Sequence, residues 1–286
     1  MNHDQKRESA RPKVGAAVTV WDLKHNTALR RFLVDADRDV ELQDFLDPTV
    51  LRTDWADRAT EAARLLDGHN GRVGLHGPFF DFQLDVGDPD FRDIAQRRML
   101  TALEAVAAFA RPKAHPHMVL HSPFSHWDGY NLDTNSYARE TKLNRVHDCL
   151  KPVVARARDL GVALVIENIE DRDPADRNEL ADSIDGDTVQ LSVDTGHAHY
   201  SHLTGGAPTV DRFIRAAGSR LAHIHLQDGD GWADRHWQIG EGTLCWPEIF
   251  RAIADTGTHP RLLLEMRDCN AVLPSARYLQ ELGLVD

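Results

Sequence analysis

Cysteine is scarce in this chain. Its three cysteines, Cys149, Cys245 and Cys269, are odd in number, far apart and form no CxxC pair. Neither a disulfide framework nor a thiolate zinc site is therefore indicated. Lysine is also rare, six against 27 arginines, and the formal net charge is −12. That balance argues against the broad basic patch of a non-specific polyanion binder. No apolar run approaches the roughly 18 residues of a membrane span. The first residues, MNHDQKRESARPK, are polar and lack the apolar core of a signal peptide. Residues 1–13 are expected to form a flexible tail, residues 14–286 a single domain, and the protein is expected in the cytoplasm.

Short apolar runs recur with longer amphipathic stretches between them. The runs are 14–20, 39–45, 72–77, 117–122, 162–168, 189–194, 221–227 and 261–266. Each is rich in Val, Ile and Leu and too short for a helix, the signature of buried parallel strands. Residues 53–66 and 91–110 keep apolar residues at helical spacing, and 136–160, 208–219, 247–255 and 271–282 do so more weakly. Eight strands alternating with helices over about 250 residues predict an α/β fold of the (β/α)8 TIM-barrel type. An open doubly wound sheet would want a Gly-rich turn after its first strand, and WDLKHN (21–26) is not one.

The ends of these strands carry the chemistry. In order from the third, they finish at His76, His121, Glu167, Asp194, His225 and Glu265. In a barrel all such ends converge on the face where active sites lie. Burying three carboxylates together without a cation costs several kcal/mol of repulsion and desolvation, so a metal centre is expected. Beyond the strands, Asp194 is followed by His197 at one-turn spacing. In ADRHWQIGEG (233–242), Asp234 and His236 would face the same way on an extended segment, with Gly240 and Gly242 permitting a sharp turn. Five histidines and four carboxylates make an N/O donor set suited to Zn2+, Mn2+ or Fe2+ rather than to Mg2+ or Ca2+. Nine groups suffice for two or three ions if a carboxylate bridges.

The stretches VDTGH (193–197), IHLQD (224–228) and DRHWQIGEG (234–242), supported by LHGPF, VLHSPF, VIEN and LLLEM, resemble the xylose isomerase-like TIM-barrel superfamily, most of all its endonuclease IV branch. The resemblance covers nearly the whole chain from about residue 14. It implies three metal sites: His76, His121 and Glu167; Glu167 again with Asp194, His225 and Glu265; and His197, Asp234 and His236. The loop after the first strand, WDLKHNTALRRF (21–32), does not match the DNA-entering loop of those endonucleases.

The full nine-residue set favours a multinuclear phosphoesterase acting on a small phosphorylated molecule, with nucleic acid disfavoured. Clustered ions would activate a water and neutralise attacking and leaving oxygens, with Arg235 as a phosphate clamp or an ion-pair partner. The rival is a sugar or sugar-phosphate isomerase or epimerase. It needs only Glu167, Asp194, His225 and Glu265 around one ion, with Glu167 and Glu265 moving a proton through an enediol. Residues 121–137 are long enough for a lid with Trp127 and Tyr130 as walls. His223 is expected as a hydrogen-bonded core residue, His199 and His202 as loop residues, and His115 and His117 at the face opposite the active site.

Overall fold

The computed structural model describes residues 11–111, 115–184 and 186–286. Most of the expected tail lies outside the described residues. Eight strands, β1 (Gly15–Val18), β2 (Val40–Leu42), β3 (Val73–His76), β4 (His117–His121), β5 (Ala163–Glu167), β6 (Val189–Asp194), β7 (Leu221–Leu226) and β8 (Arg261–Leu264), close into one barrel. Every neighbouring pair is parallel, including β1 with β8. The expected (β/α)8 barrel is the fold.

Helices cover the outside. They are α1 (Val20–His25), α2 (Thr27–Arg30), α3 (Pro48–Thr53), α4 (Trp55–Leu65), α5 (Pro89–Phe109), α6 (His126–Asn131), α7 (Ser136–Leu160), α8 (Pro174–Ile184), α9 (Thr195–Gly205), α10 (Val210–Ala217), α11 (Trp246–Asp255) and α12 (Val272–Glu281). Their starts follow local chemistry. Asp88 caps α5 ahead of Pro89, and Ser125 caps α6 in a reciprocal box with Asp128. The same chemistry shortens two expected strands. Thr19 leaves β1 to form a capping box with Asp22 at the start of α1. Asp44, expected within the second strand, instead accepts from the Val20 N–H at 2.8 Å and from Arg58 at 2.8 Å.

The apolar core lies between sheet and helices and includes Leu42, Leu75, Met99, Leu103, Ile166 and Leu191. The barrel's inside differs. Strand alternation puts Glu41, His117, His121, Glu167, Ser192, Asp194, His223 and His225 on the inward face, and all but His121 are buried. The usual filling of such barrels is branched aliphatic; here polar side chains occupy two successive levels. The placement of His117 at the opposite face is therefore corrected. It opens β4, and its ring points into the barrel, where Nε2 lies 2.7 Å from Glu41 Oε2.

Candidate metal centre at the barrel mouth

The strand ends fall where the sequence puts them. His76, His121, Glu167 and Asp194 are the last residues of β3 to β6, His225 is the penultimate residue of β7, and Glu265 follows β8. Three groups of side chains each bring donor atoms within 4.8 Å of one another: His76, His121 and Glu167; Glu167, Asp194, His225 and Glu265; and His197, Asp234 and His236. All nine expected residues are thus assembled, and Glu167 belongs to two groups.

The backbone and neighbouring carboxylates fix which histidine nitrogen faces the cluster. His76 Nδ1 donates to Gly77 O at 2.9 Å, His197 Nδ1 to Asn168 O at 3.0 Å and His236 Nδ1 to Glu265 O at 3.1 Å. Each Nε2 is left aimed inward. His76 Nε2 lies 3.4 Å from His121 Nε2, and His197 Nε2 and His236 Nε2 lie 3.4 and 3.0 Å from Asp234 Oδ1. His225 is reversed. Its Nε2 meets Glu41 Oε1 at 2.9 Å, and its Nδ1 faces Glu167 Oε1 at 3.1 Å and Glu265 Oε2 at 3.4 Å. A hydrogen bond on the far nitrogen is how metal-ligating imidazoles are oriented.

The residues fit a divalent cation on an observation independent of spacing. Glu167 Oε2 is buried and has no hydrogen-bond partner among the described residues, although it lies 3.7 Å from His76 Nε2. An unsatisfied buried carboxylate oxygen is costly, and a cation between it and the imidazoles supplies what is missing.

The electrostatics agree. Burial pushes the Asp194 carboxyl up, and Glu167 and Glu265 add to this against His197, leaving it at about 6. Burial also opposes ionisation of Glu167, but His225 and His197 outweigh it and hold this group well below its ordinary value. Burial would lower His225 and His197. The surrounding carboxylates reverse that and raise both well above 6.5. Protons thus compensate the carboxylates of the metal-free protein, and a bound cation would take their place. His121 behaves oppositely: burial and His76 push it well below 6.5, leaving it neutral and able to ligate.

Asp234 and His236 meet by a different route from the one expected. The segment is not extended, because His236 adopts a left-handed φ of 50°. Gly240 also turns through a positive φ, 94°. At Gly242 an added Cβ would lie 2.2 Å from Asp228 Oδ1. Arg235 is an ion-pair partner and not a phosphate clamp, since Nε and Nη2 hold Asp230 at 3.0 and 2.8 Å. Within 121–137, residues 126–131 are helical. Trp127 is exposed, and the Tyr130 hydroxyl is tied to Gly205 O at the end of α9 at 3.1 Å. His199 and His202, expected in a loop, instead lie within α9 (Thr195–Gly205) and bond to Thr243 Oγ1 and Ala207 O.

Several residues escaped sequence reading. Gln43 donates to Glu265 Oε1 at 2.7 Å. The Asn168 side chain brackets the Asp194 backbone, accepting from its N–H at 2.9 Å and donating to its C=O at 3.1 Å. Gln227 accepts from the His236 N–H at 2.7 Å, and its amide nitrogen reaches Asp194 Oδ1 and Asp234 Oδ1 at 3.1 and 3.2 Å. Only the IHLQD stretch hinted at Gln227; an isolated Gln or Asn carries no periodic signal. Beside His121 lies a 260 Å3 cavity walled by Phe79, Phe82, Ser122 and Phe124. A second cavity, of 740 Å3, opens at the far end of the barrel near Arg38 and His259, and none of the nine expected ligands lines it.

Comparison with known proteins agrees with this geometry. The family described as xylose isomerase-like TIM barrel matches residues 38–284. A D-psicose 3-epimerase from Ruminiclostridium cellulolyticum is 26% identical over 198 residues, 66% of this chain and 61% of that protein. A Thermus thermophilus protein solved after soaking with ZnCl2 is 26% identical with a TM-score of 0.71, covering 95% of this chain and 98% of that one. A D-tagatose 3-epimerase-like protein has the same fold, with 19% identity and a TM-score of 0.72 over 96% of this chain and 98% of that one. The alignments span 48% and 61% of the curated relatives' own lengths. Among the described residues no helix is long and apolar enough to cross a membrane. These findings overturn the phosphoesterase expectation. The relatives named for a reaction are sugar epimerases and not hydrolases, and the family match does not single out the endonuclease IV branch. A phosphate ester and nucleic acid lose their support as substrates with it.

Proposed function

Because this chain belongs to the xylose isomerase-like TIM-barrel family, we propose that it is a divalent-metal-dependent sugar isomerase or epimerase. Its reaction centre is the buried group of Glu167, Asp194, His225 and Glu265. The observation that carries this reading is that three carboxylates and one imidazole, at or next to the ends of four successive strands, place donor atoms within 4.8 Å of one another, in a family whose relatives include a D-psicose 3-epimerase.

These four residues would hold the cation, which when bound supplies Lewis acidity at a sugar carbonyl and its neighbouring hydroxyl. Glu167 and Glu265 move the proton. One carboxylate takes the proton from the carbon beside the carbonyl, and the C–H electron pair passes into the carbonyl to give an enediolate. The other, as its acid, returns a proton. Delivery to the opposite face of the same carbon inverts it, and delivery to the former carbonyl carbon, with the neighbouring hydroxyl proton passing to the former carbonyl oxygen, isomerises the sugar. Gln43 holds Glu265 through Oε1, and Asn168 fixes the backbone of Asp194. His76 with His121, and His197 with Asp234 and His236, form two flanking N/O sets that would hold further divalent ions. The Phe79–Phe124 cavity beside His121 accommodates the sugar's apolar face.

The test is incubation with a panel of ketoses in deuterated water, using protein reloaded with Mn2+ or Zn2+. Deuterium at the carbon next to the carbonyl, lost in Glu265→Gln, is the expected result. Absence of exchange with every ketose while metal is bound would exclude the proton-transfer reading.

A further inference from the structure

Glu41, on β2, is a carboxylate that a strand reading assigns to an ordinary alternating position, yet it is fully buried at the level beneath the metal centre. Its two oxygens receive three imidazoles. His117 Nε2 and His223 Nε2 meet Oε2 at 2.7 and 3.1 Å, and His225 Nε2 meets Oε1 at 2.9 Å. The tautomers around it are largely determined. Ser192 Oγ lies 2.8 Å from His223 Nδ1; with the hydroxyl donating there, the ring proton is confined to Nε2, which donates to Glu41. His117 Nδ1 has no partner among the described residues, so its Nε2–H is the group that is satisfied, by Glu41. The ring fits because position 74, paired between Glu41 and His117 across β3, is glycine. A Cβ there would lie 2.1 Å from His117 Nδ1.

We infer that Glu41 is a positioning residue for the metal centre, held by His117 and His223 so that it binds the Nε2–H of His225 and presents His225 Nδ1 to the cation. The inference rests on the reading that Glu167, Asp194, His225 and Glu265 hold a divalent ion; it does not depend on which sugar is turned over. The arrangement is a carboxylate–histidine–metal relay with one further layer. A carboxylate behind a ligating imidazole fixes the ring's orientation and raises its donor strength. Here that carboxylate is itself saturated by two more imidazoles, so it has no competing use. Three N–H donors on one buried carboxylate also settle why a charge is tolerated so deep in the barrel.

An alternative occupant of this level is a cation bound directly by Glu41, His117 and His223, whose donor atoms also lie within 4.8 Å of one another. The 2.7 Å between Glu41 Oε2 and His117 Nε2 instead matches a charge-assisted hydrogen bond, and every donor is accounted for without an ion.

The experiment is Co2+ titration of chelator-stripped wild type, Glu41→Gln and Ser192→Ala. Competition with a chelator gives affinity, elemental mass spectrometry gives ions per chain, and the thermal midpoint of each metal-free protein serves as the structural control. Glu41→Gln is expected to weaken Co2+ binding at the centre by about 10- to 100-fold with the number of ions unchanged. Ser192→Ala, which frees the His223 tautomer but leaves Glu41 in place, is expected to weaken it by a smaller factor and keeps the inference testable if Glu41→Gln does not fold. Affinity within about twofold of wild type in every folded variant overturns the positioning role. So does the loss of one ion per chain with the remaining affinities intact, because that marks Glu41, His117 and His223 as a cation site of their own. A wild type that binds no Co2+ overturns both the metal centre and the inference, which separates that failure from the other two.

Discussion

Glu167 reaches His225 Nδ1 through Oε1 at 3.1 Å while its other oxygen, buried, has no partner among the described residues. One carboxylate therefore belongs to two groups of ligands, with His76 and His121 on one side and Asp194, His225 and Glu265 on the other. Glu167→Gln keeps the shape and removes the charge that both groups share. The expected outcome is at least a 100-fold loss of deuterium exchange into the sugar, together with the loss of one or more bound ions by elemental mass spectrometry. A variant that keeps both its metal content and its exchange rate would remove Glu167 from the centre.

Charge in the metal-free protein gives a second prediction. Burial alone would lower His236, but its hydrogen bond to Asp234 and the charges of Glu265 and Asp194 raise it to about 9. A group raised above its unfolded value of about 6.5 contributes stability that is fully present below that pH and is lost as pH rises through the folded value. Chelator-treated protein should therefore lose on the order of 2 kcal/mol between pH 6.5 and pH 9, a figure reduced for the half-exposed Asp234 partner. Urea unfolding at the two pH values measures it. His236→Asn should flatten the dependence, and metal-loaded wild type should show less of it, because the cation replaces the proton.

The site was legible in the sequence to the extent that position alone defines it. His76, His121, Glu167 and Asp194 stand at the ends of apolar runs, and closure of the barrel brings run ends together whatever else happens. Glu41 was not legible. In DVELQDF an alternating Glu looks solvent-facing, and only the closed barrel turns that face inward onto His117, His223 and His225. Asp234 and His236 were found from their spacing, but for the wrong geometric reason, since the left-handed His236 and not an extended segment joins them. The reaction was misread because the nine-residue set is compatible with both chemistries. A ligand set records charge and donor type, and the choice between hydrolysis and proton transfer lies in substrate contacts with no periodic signature.

The two flanking triads give a third prediction, which separates ion number from reaction. Asp234→Ala/His236→Ala removes two of the three residues that surround the His197 Nε2 side of the cluster. If the reaction centre is the Glu167, Asp194, His225 and Glu265 group, the variant should lose about one ion per chain and retain measurable deuterium exchange. Retention of every ion would show that Asp234 and His236 contact substrate instead. Loss of exchange with the four-residue group still loaded would place the proton-transfer step at the triad of His197, Asp234 and His236.

Asp228 gives the last prediction, through the loop that carries Asp234 and His236. Its Oδ1 accepts from the Gly229 and Leu244 N–H groups at 2.9 and 3.3 Å, and its Oδ2 accepts from the Gly240 N–H and the Trp246 indole at 2.8 and 3.0 Å. Its backbone pairs with Trp237 in both directions. One buried carboxylate thus ties both ends of the 229–246 loop, and Gly242 is small enough to pass it where a Cβ would collide with Oδ1 at 2.2 Å. Asp228→Ala leaves four donors without their acceptor. At about 1–3 kcal/mol for each buried donor that water cannot reach, and with the exposed ones resolvated, a loss of about 3 kcal/mol in urea unfolding is expected. Gly242→Ala should act in the same direction by pushing on the same carboxylate. Both should weaken the ion bound by His197, Asp234 and His236 more than the ion held by the four-residue group, because the loop positions two ligands of the first and none of the second. Equal weakening of both ions, measured by chelator competition, would mean that Asp228 acts on the barrel as a whole and not on the loop.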